Sequence, residues 1–131
     1  MKIGEVAKEA GLGVHAVRFY EREGLLPEPR RKASGYRDYP PEVVPRLRFI
    51  RRAKELGFSL GEILTLLELE ADSNASAAEV KRIAESTLED VERRVKALQR
   101  MRRELRKLVD GCSGKGSVSE CSILNALAEG N

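Results

Sequence analysis

Apolar residues recur at helical spacing along most of the chain. In the first stretch, Ile3, Val6, Ala7 and Ala10 fall on one face of a helix over 3–10, which Gly11 ends. Residues 14–23 predict a second short helix, with Val14, Val17 and one of Phe19 or Tyr20 turned inward, closed by Gly24. Two helices of this length joined by a glycine-containing turn fit a helix-turn-helix. In that motif the second helix enters the major groove and presents its N-terminal residues to base edges.

Residues 27–40 break the helical period. Ser34-Gly35 marks a hairpin turn, and Tyr36 to Tyr39 reads as the returning strand. A basic hairpin beside a helix-turn-helix is a wing, placed to lie along phosphates or the minor groove. Pro40-Pro41 then opens a helix over 41–55 carrying Val44, Leu47, Phe49 and Ile50. Ser59 and Glu62 have capping-box spacing at the head of a helix with Ile63, Leu64, Leu66 and Leu67. Residues 71–77 are small and polar and read as a linker.

Residues 78–110 follow a different rule. Ala84, Leu88, Val91, Val95, Leu98, Leu105 and Val109 step by fours and threes, with Arg102 interrupting. A single helix of that length spans roughly 50 Å. The short helices offer too little surface to cover its stripe, so a second copy of the chain is the expected partner, in a two-fold homodimer. The alternative is a helix packed wholly within its own chain.

Composition changes the picture in one respect. The 131 residues are 41% hydrophobic and 34% charged, with a net charge of only +3. That total conceals an asymmetry. Residues 30–54 hold nine basic residues against two acidic ones, a local +7, and residues 55–70 hold four acids and no base. All six aromatics lie before residue 59. A basic, aromatic first half is a plausible phosphate footprint. No window approaches a membrane span, and the N-terminus lacks the apolar core of a signal peptide, so a cytoplasmic protein is expected. A single His and the lack of a nucleotide loop leave little for catalysis, and no enzyme is expected.

Both cysteines fall in one glycine-rich loop after Gly111, Cys112-SGKGSVSE-Cys121, ahead of a last short helix beginning SILNAL. Small residues let such a loop curl until the sulfurs converge. Cys121 would stand at a helix N-terminus, which favours thiolate, and Lys115 adds positive charge. A metal site is the first reading, a reversible Cys112–Cys121 disulfide the second, and two incidental thiols the third. Two soft sulfurs suit Cu(I), Ag(I), Au(I) or Hg(II) held linearly. Zinc or cadmium would need added oxygens, from Asp72, Ser76 or Glu120 or from a partner chain, because two sulfurs do not close a tetrahedral site.

Together these stretches resemble the MerR family of bacterial transcription activators over essentially the whole chain: IGEVAKEAGL, VRFYEREGLLPEPRR, SGYRDYP, RLRFIRRAKELGFSLGEI and the terminal Cys-x8-Cys-SIL. The resemblance implies a mainly α fold. A winged helix-turn-helix domain occupies 1–70, a linker 71–77, an antiparallel coiled-coil dimerisation helix 78–110, and a metal loop with terminal helix 111–131. It implies operator contacts from Arg18, Tyr20, Arg31, Tyr36 and Arg37, with His15 at a recognition-helix position that faces bases. It implies a palindromic promoter operator and RNA polymerase as partners, and metal-driven bending and untwisting of the DNA between overly spaced promoter elements.

The resemblance also bears on the ion. Divalent-metal members carry a third Cys at the start of the long helix. Leu88-Glu89-Asp90-Val91 fixes the alignment, and the equivalent position here is Ala77, beside Ser76. Copper-, silver- and gold-responsive members have Ser there and use two cysteines. The eight-residue loop and the CSIL ending are nearer to zinc and mercury members. Ligand number is chemistry and loop length is geometry, so Cu(I), Ag(I) or Au(I) at Cys112 and Cys121 is the expectation, with Zn(II), Cd(II), Pb(II) or Hg(II) as the alternative. An iron–sulfur branch would need four Cys, and a drug-binding branch would need a large domain after Gly111.

Overall fold

The computed structural model describes residues 1–27, 29–31 and 37–130. It divides into two compact units, Met1–Ala84 and Glu85–Asn131. In order along the chain are α1 (Ile3–Ala10), α2 (Val14–Arg22), β1 (Arg30–Arg31), β2 (Arg37–Asp38), α3 (Val43–Glu55), α4 (Leu60–Ala71), α5 (Ala77–Asp110) and α6 (Ser122–Ala128). A 3-10 turn, Val118–Glu120, precedes α6. No helix among the described residues is long and apolar enough to cross a membrane.

The first unit is built on α1 against α2 and α3, with α4 against α3. The inward residues are the ones the helical period selects: Val6, Ala7 and Ala10 from α1, Val17 and Tyr20 from α2, Val43, Val44, Leu47, Ile50 and Ala53 from α3, and Ile63 and Leu67 from α4. Val6, Val17, Leu47, Ile50 and Ile63 are fully enclosed, and each such side chain contributes about 1.5–3 kcal/mol of burial. The turn between α1 and α2 depends on Gly11, whose φ of 72° is left-handed. A Cβ there would also fall 2.0 Å from the guanidinium Nη1 of Arg51, which lies over it.

The α4 cap is as the sequence requires. The Glu62 amide donates to Ser59 Oγ (3.1 Å), and the Ser59 amide donates to Glu62 Oε1 (2.9 Å). A short connection joins α4 to α5. Residue 71 completes α4 and Ala77 begins α5, leaving 72–76 outside helix. Within it the Asn74 amide donates to Asp72 Oδ1 at 2.9 Å, which closes a local turn.

The hairpin is antiparallel, with Arg30 opposite Asp38 and Arg31 opposite Arg37. Its predicted turn at Ser34-Gly35 lies outside the described residues. Its base is tied to the core through Tyr39, which is buried. The Tyr39 amide donates to the Met1 carbonyl (2.8 Å), and the Met1 amine donates to the Tyr39 carbonyl (2.7 Å) and to Asp38 Oδ1 (2.8 Å).

The second unit is the rest of α5 with the loop and α6. Its apolar stripe is exposed: Leu88, Val95, Leu98, Met101, Leu105 and Val109 are each 45–61% exposed. Among its described residues only Thr87 is buried.

Candidate nucleic-acid interface and thiol loop

Helix α2 has two faces. Val17 and Tyr20 point into the core, while His15, Arg18, Phe19 and Arg22 are exposed. The exposed four fall at i, i+3, i+4 and i+7, a single helical stripe. Arg18 and His15 lie on the N-terminal part of the outward face. Tyr20, also expected at the operator, packs into the core with 9% of the residue exposed. The reason is register: 20 is three positions after the core residue Val17, so it shares the inward face. Phe19 takes the outward position instead, 39% exposed, with its ring centroid 5.6 Å from that of Tyr20.

The other residues expected at the operator fall in the hairpin segment. Arg31 and Arg37 are backbone partners across the hairpin. Tyr36 lies outside the described residues. The position of the wing relative to α2 is fixed by Tyr39, whose hydroxyl donates to Glu21 Oε1 on α2 at 2.9 Å.

Not all of the basic segment is available to a polyanion. Arg46 Nε donates to the Leu25 carbonyl at 2.6 Å, in the chain leaving α2. Arg48 donates through Nε (3.3 Å) and Nη2 (3.0 Å) to the Glu9 carbonyl, one of the carbonyls left without a partner at the end of α1. These two arginines clamp the helix-turn-helix onto α3. Arg51 and Arg52 both approach Glu55, at 3.7 and 4.0 Å, in exposed pairs of small energetic weight. The local +7 is therefore partly committed to structure. Sequence reasoning could not see this, since Arg48 and Glu9 are 39 positions apart.

The thiol loop is built by its backbone. Gly111 caps α5, its amide donating to the Lys107 carbonyl at 3.0 Å. Gly114 and Gly116, at φ 74° and 88°, reverse the chain in a conformation that side chains disfavour. The 3-10 turn then delivers Cys121 to the start of α6. Cys112 and Cys121 are both half-buried free thiols.

The Cys121 thiol is held below its ordinary pKa. The amide of Leu124 is the main cause, burial opposes it, and the Ile123 amide and the Cys112 thiol lower it further. The sulfur lies in the field of these amides rather than in a formal capping hydrogen bond. Among the described residues, no group of three or more His, Cys, Asp and Glu converges as a metal cage. Of the oxygens considered for a divalent ion, the Glu120 carboxylate lies against Gly116 and Asp72 serves the linker turn. The soft sulfurs of Cys112 and Cys121 suit a thiophilic ion.

A helix-turn-helix with a hairpin anchored beside its second helix, followed by a long helix and a dithiol loop, defines a winged DNA-binding regulator. Residues 1–70 match the MerR HTH family of regulatory proteins and residues 44–108 match the MerR DNA-binding family, so the chain belongs to the MerR family. Members of this family regulate transcription and are not enzymes.

Among its relatives is the transcriptional regulator HmrR of Rhizobium leguminosarum bv. viciae, 39% identical over 130 residues and 99% of both chains. Among solved structures it is similar to PbrR691 of Ralstonia metallidurans CH34 in complex with lead(II), with TM-score 0.83, 39% identity and coverage of 97% and 98% of the two chains. The dual-function regulator MerR of Bacillus megaterium MB1 in complex with mercury(II) matches with TM-score 0.71, 34% identity and coverage of 98% and 99%.

Proposed function

We propose that this protein is a metal-responsive transcription regulator acting in the cytoplasm as a homodimer. It binds a palindromic promoter operator, with RNA polymerase as the second partner, and its effector is a thiophilic ion held by Cys112 and Cys121. The observation that carries the effector assignment is the placement of the chain's two cysteines, both free thiols, at the two ends of one short glycine-rich loop. The domain reading of 1–70 for DNA, 71–77 as linker, 78–110 for dimerisation and 111–131 for the effector is part of this proposal.

On DNA, His15 and Arg18 face the bases from α2 and Phe19 stands beside them. Arg31, Tyr36 and Arg37 lie along the phosphates from the wing, and Tyr20 adds at most its exposed edge. Homodimerisation covers the α5 stripe, whose repeating apolar positions match a partner helix.

Two thiolates, with no third His, Cys, Asp or Glu converging on them among the described residues, favour a monovalent ion, Cu(I), Ag(I) or Au(I). Such an ion would be held by Cys112, just past the end of α5, and Cys121, just before α6. The chain's own part is to set α6 against α5, where Leu127 lines an apolar groove with Met101, Leu105 and Leu108. Fixing that arrangement is the two-state element that would be read out as altered DNA geometry.

A divalent ion is the second reading, favoured by the lead(II) and mercury(II) complexes of similar proteins. Competition titration of the reduced protein with Cu(I) and Zn(II), with X-ray absorption counting sulfur neighbours, separates the two. Two sulfurs and preference for Cu(I) are expected; three or four ligands including oxygen or nitrogen would give the site to a divalent ion. A protein that holds no thiophilic ion more tightly than the Cys112→Ser/Cys121→Ser variant is not a metal sensor through this loop.

A further inference from the structure

The residues that flank the two thiols touch each other. Gly111 precedes Cys112 and Ser122 follows Cys121, and the Ser122 hydroxyl donates to the Gly111 carbonyl at 3.1 Å. That carbonyl is one of those left without a helical partner at the end of α5. Ser122 is the first residue of α6, so one hydroxyl joins the end of one helix to the start of the next. The backbone–backbone hydrogen bonds among the described residues around each thiol stay on its own side. Cys112 donates to Val109 (3.2 Å), Cys121 donates to Val118 (3.1 Å), and Asn125 donates to the Cys121 carbonyl (3.1 Å). Inside the loop, the Lys115 amide donates to Ser113 Oγ (3.2 Å), and Ser117 and Ser119 share a hydroxyl contact at 2.7 Å. These bonds shape the loop without closing it.

We infer that Ser122 is a positioning residue for the dithiol: its bond to Gly111 closes the base of the loop and holds Cys112 and Cys121 together before any ion arrives. A loop of this length with two left-handed glycines loses considerable entropy when its ends meet. A hydrogen bond at its base removes part of that loss in advance, so the sulfurs meet more often and an ion finds them arranged. The inference rests on the proposed role of the loop as the effector site, but the Ser122–Gly111 bond exists without metal.

The test uses that independence. The metal-free, reduced full-length protein is equilibrated with oxidised and reduced glutathione. One glutathione disulfide is reduced to two thiols as the Cys112–Cys121 bond forms, and the equilibrium constant reports how well the thiols are brought together. Ser122→Ala is expected to lower that constant about three- to tenfold, the range of one net hydrogen bond, and Ser122→Thr, which keeps the hydroxyl, to restore most of it. Cu(I) affinity by competition should fall in parallel for Ser122→Ala.

An unchanged constant in Ser122→Ala overturns the inference. So does failure of Ser122→Thr to recover it, since the hydroxyl is then not what matters. If the thiol–disulfide equilibrium behaves as expected but the Cys112→Ser/Cys121→Ser variant still binds thiophilic metal like the parent, the clasp stands and the effector reading fails.

Discussion

Two stretches of this chain place apolar residues at helical spacing, and their outcomes are opposite. In α3, Val43, Val44, Leu47 and Ile50 are enclosed by α1 and α4. In α5, Leu88, Val95, Leu98, Leu105 and Val109 repeat as regularly and remain about half exposed. Composition does not separate them, for both helices are rich in Arg and Lys. What differs is supply. Around α3 the chain provides three short helices and a buried tyrosine, whereas past residue 84 it provides one loop and a seven-residue helix. A hydrophobic stripe is therefore a demand for a surface, and only the surrounding chain says whether it is met at home.

That contrast can be broken by pairing mutations. The largest effect is expected at α5. Leu98→Asp should convert the homodimer to monomer in sedimentation equilibrium, because a carboxylate in an apolar seam loses its solvation without gaining a partner. A variant that stays fully dimeric would place the interface elsewhere. Next, Leu47→Ala in α3 should destabilise the first unit by about 2–5 kcal/mol in chemical denaturation, with a midpoint independent of protein concentration. The same change at Leu98 should give a midpoint that shifts with concentration.

Smaller effects sharpen the DNA side. Arg18→Ala should cost about 1–3 kcal/mol of binding and flatten base preference at one position of each half-site. Arg31→Ala should weaken all sequences alike and reduce the salt slope by about one. If Arg31→Ala leaves the slope as it was, the wing does not lie on phosphates. The smallest is chemical. Cys121 has a lowered thiol pKa, so its thiolate persists to lower pH in the native chain than in the urea-denatured one. Native metal-free protein should therefore be alkylated at Cys121 at a pH where the denatured chain reacts slowly, and identical profiles would remove that assignment.

Much of this organisation was legible in the residues. The α1 limits, the Gly11 stop, the Ser59–Glu62 box and the start of the cysteine loop are local features, and local chemistry sets them. The choice between Phe19 and Tyr20 was not legible, since either side chain can close a core and only the packing of α1 and α3 decides. The committed arginines escaped for another reason. Arg46 and Arg48 look like surface charge in any window, and their partners are backbone carbonyls far back in the chain. A carbonyl leaves no mark in a sequence. The Ser122–Gly111 bond is of the same kind, a hydroxyl meeting backbone across eleven positions.

The buried Tyr39, bonded through its hydroxyl to Glu21, has a consequence for how DNA would be gripped. It works like the rivet of a caliper, setting the gap between the groove-reading helix and the hairpin beside it. With that gap fixed, one head samples a constant footprint. On the proposed dimeric reading, a change in the twist or bend of the duplex would then arise outside the head, and not from loosening its grip.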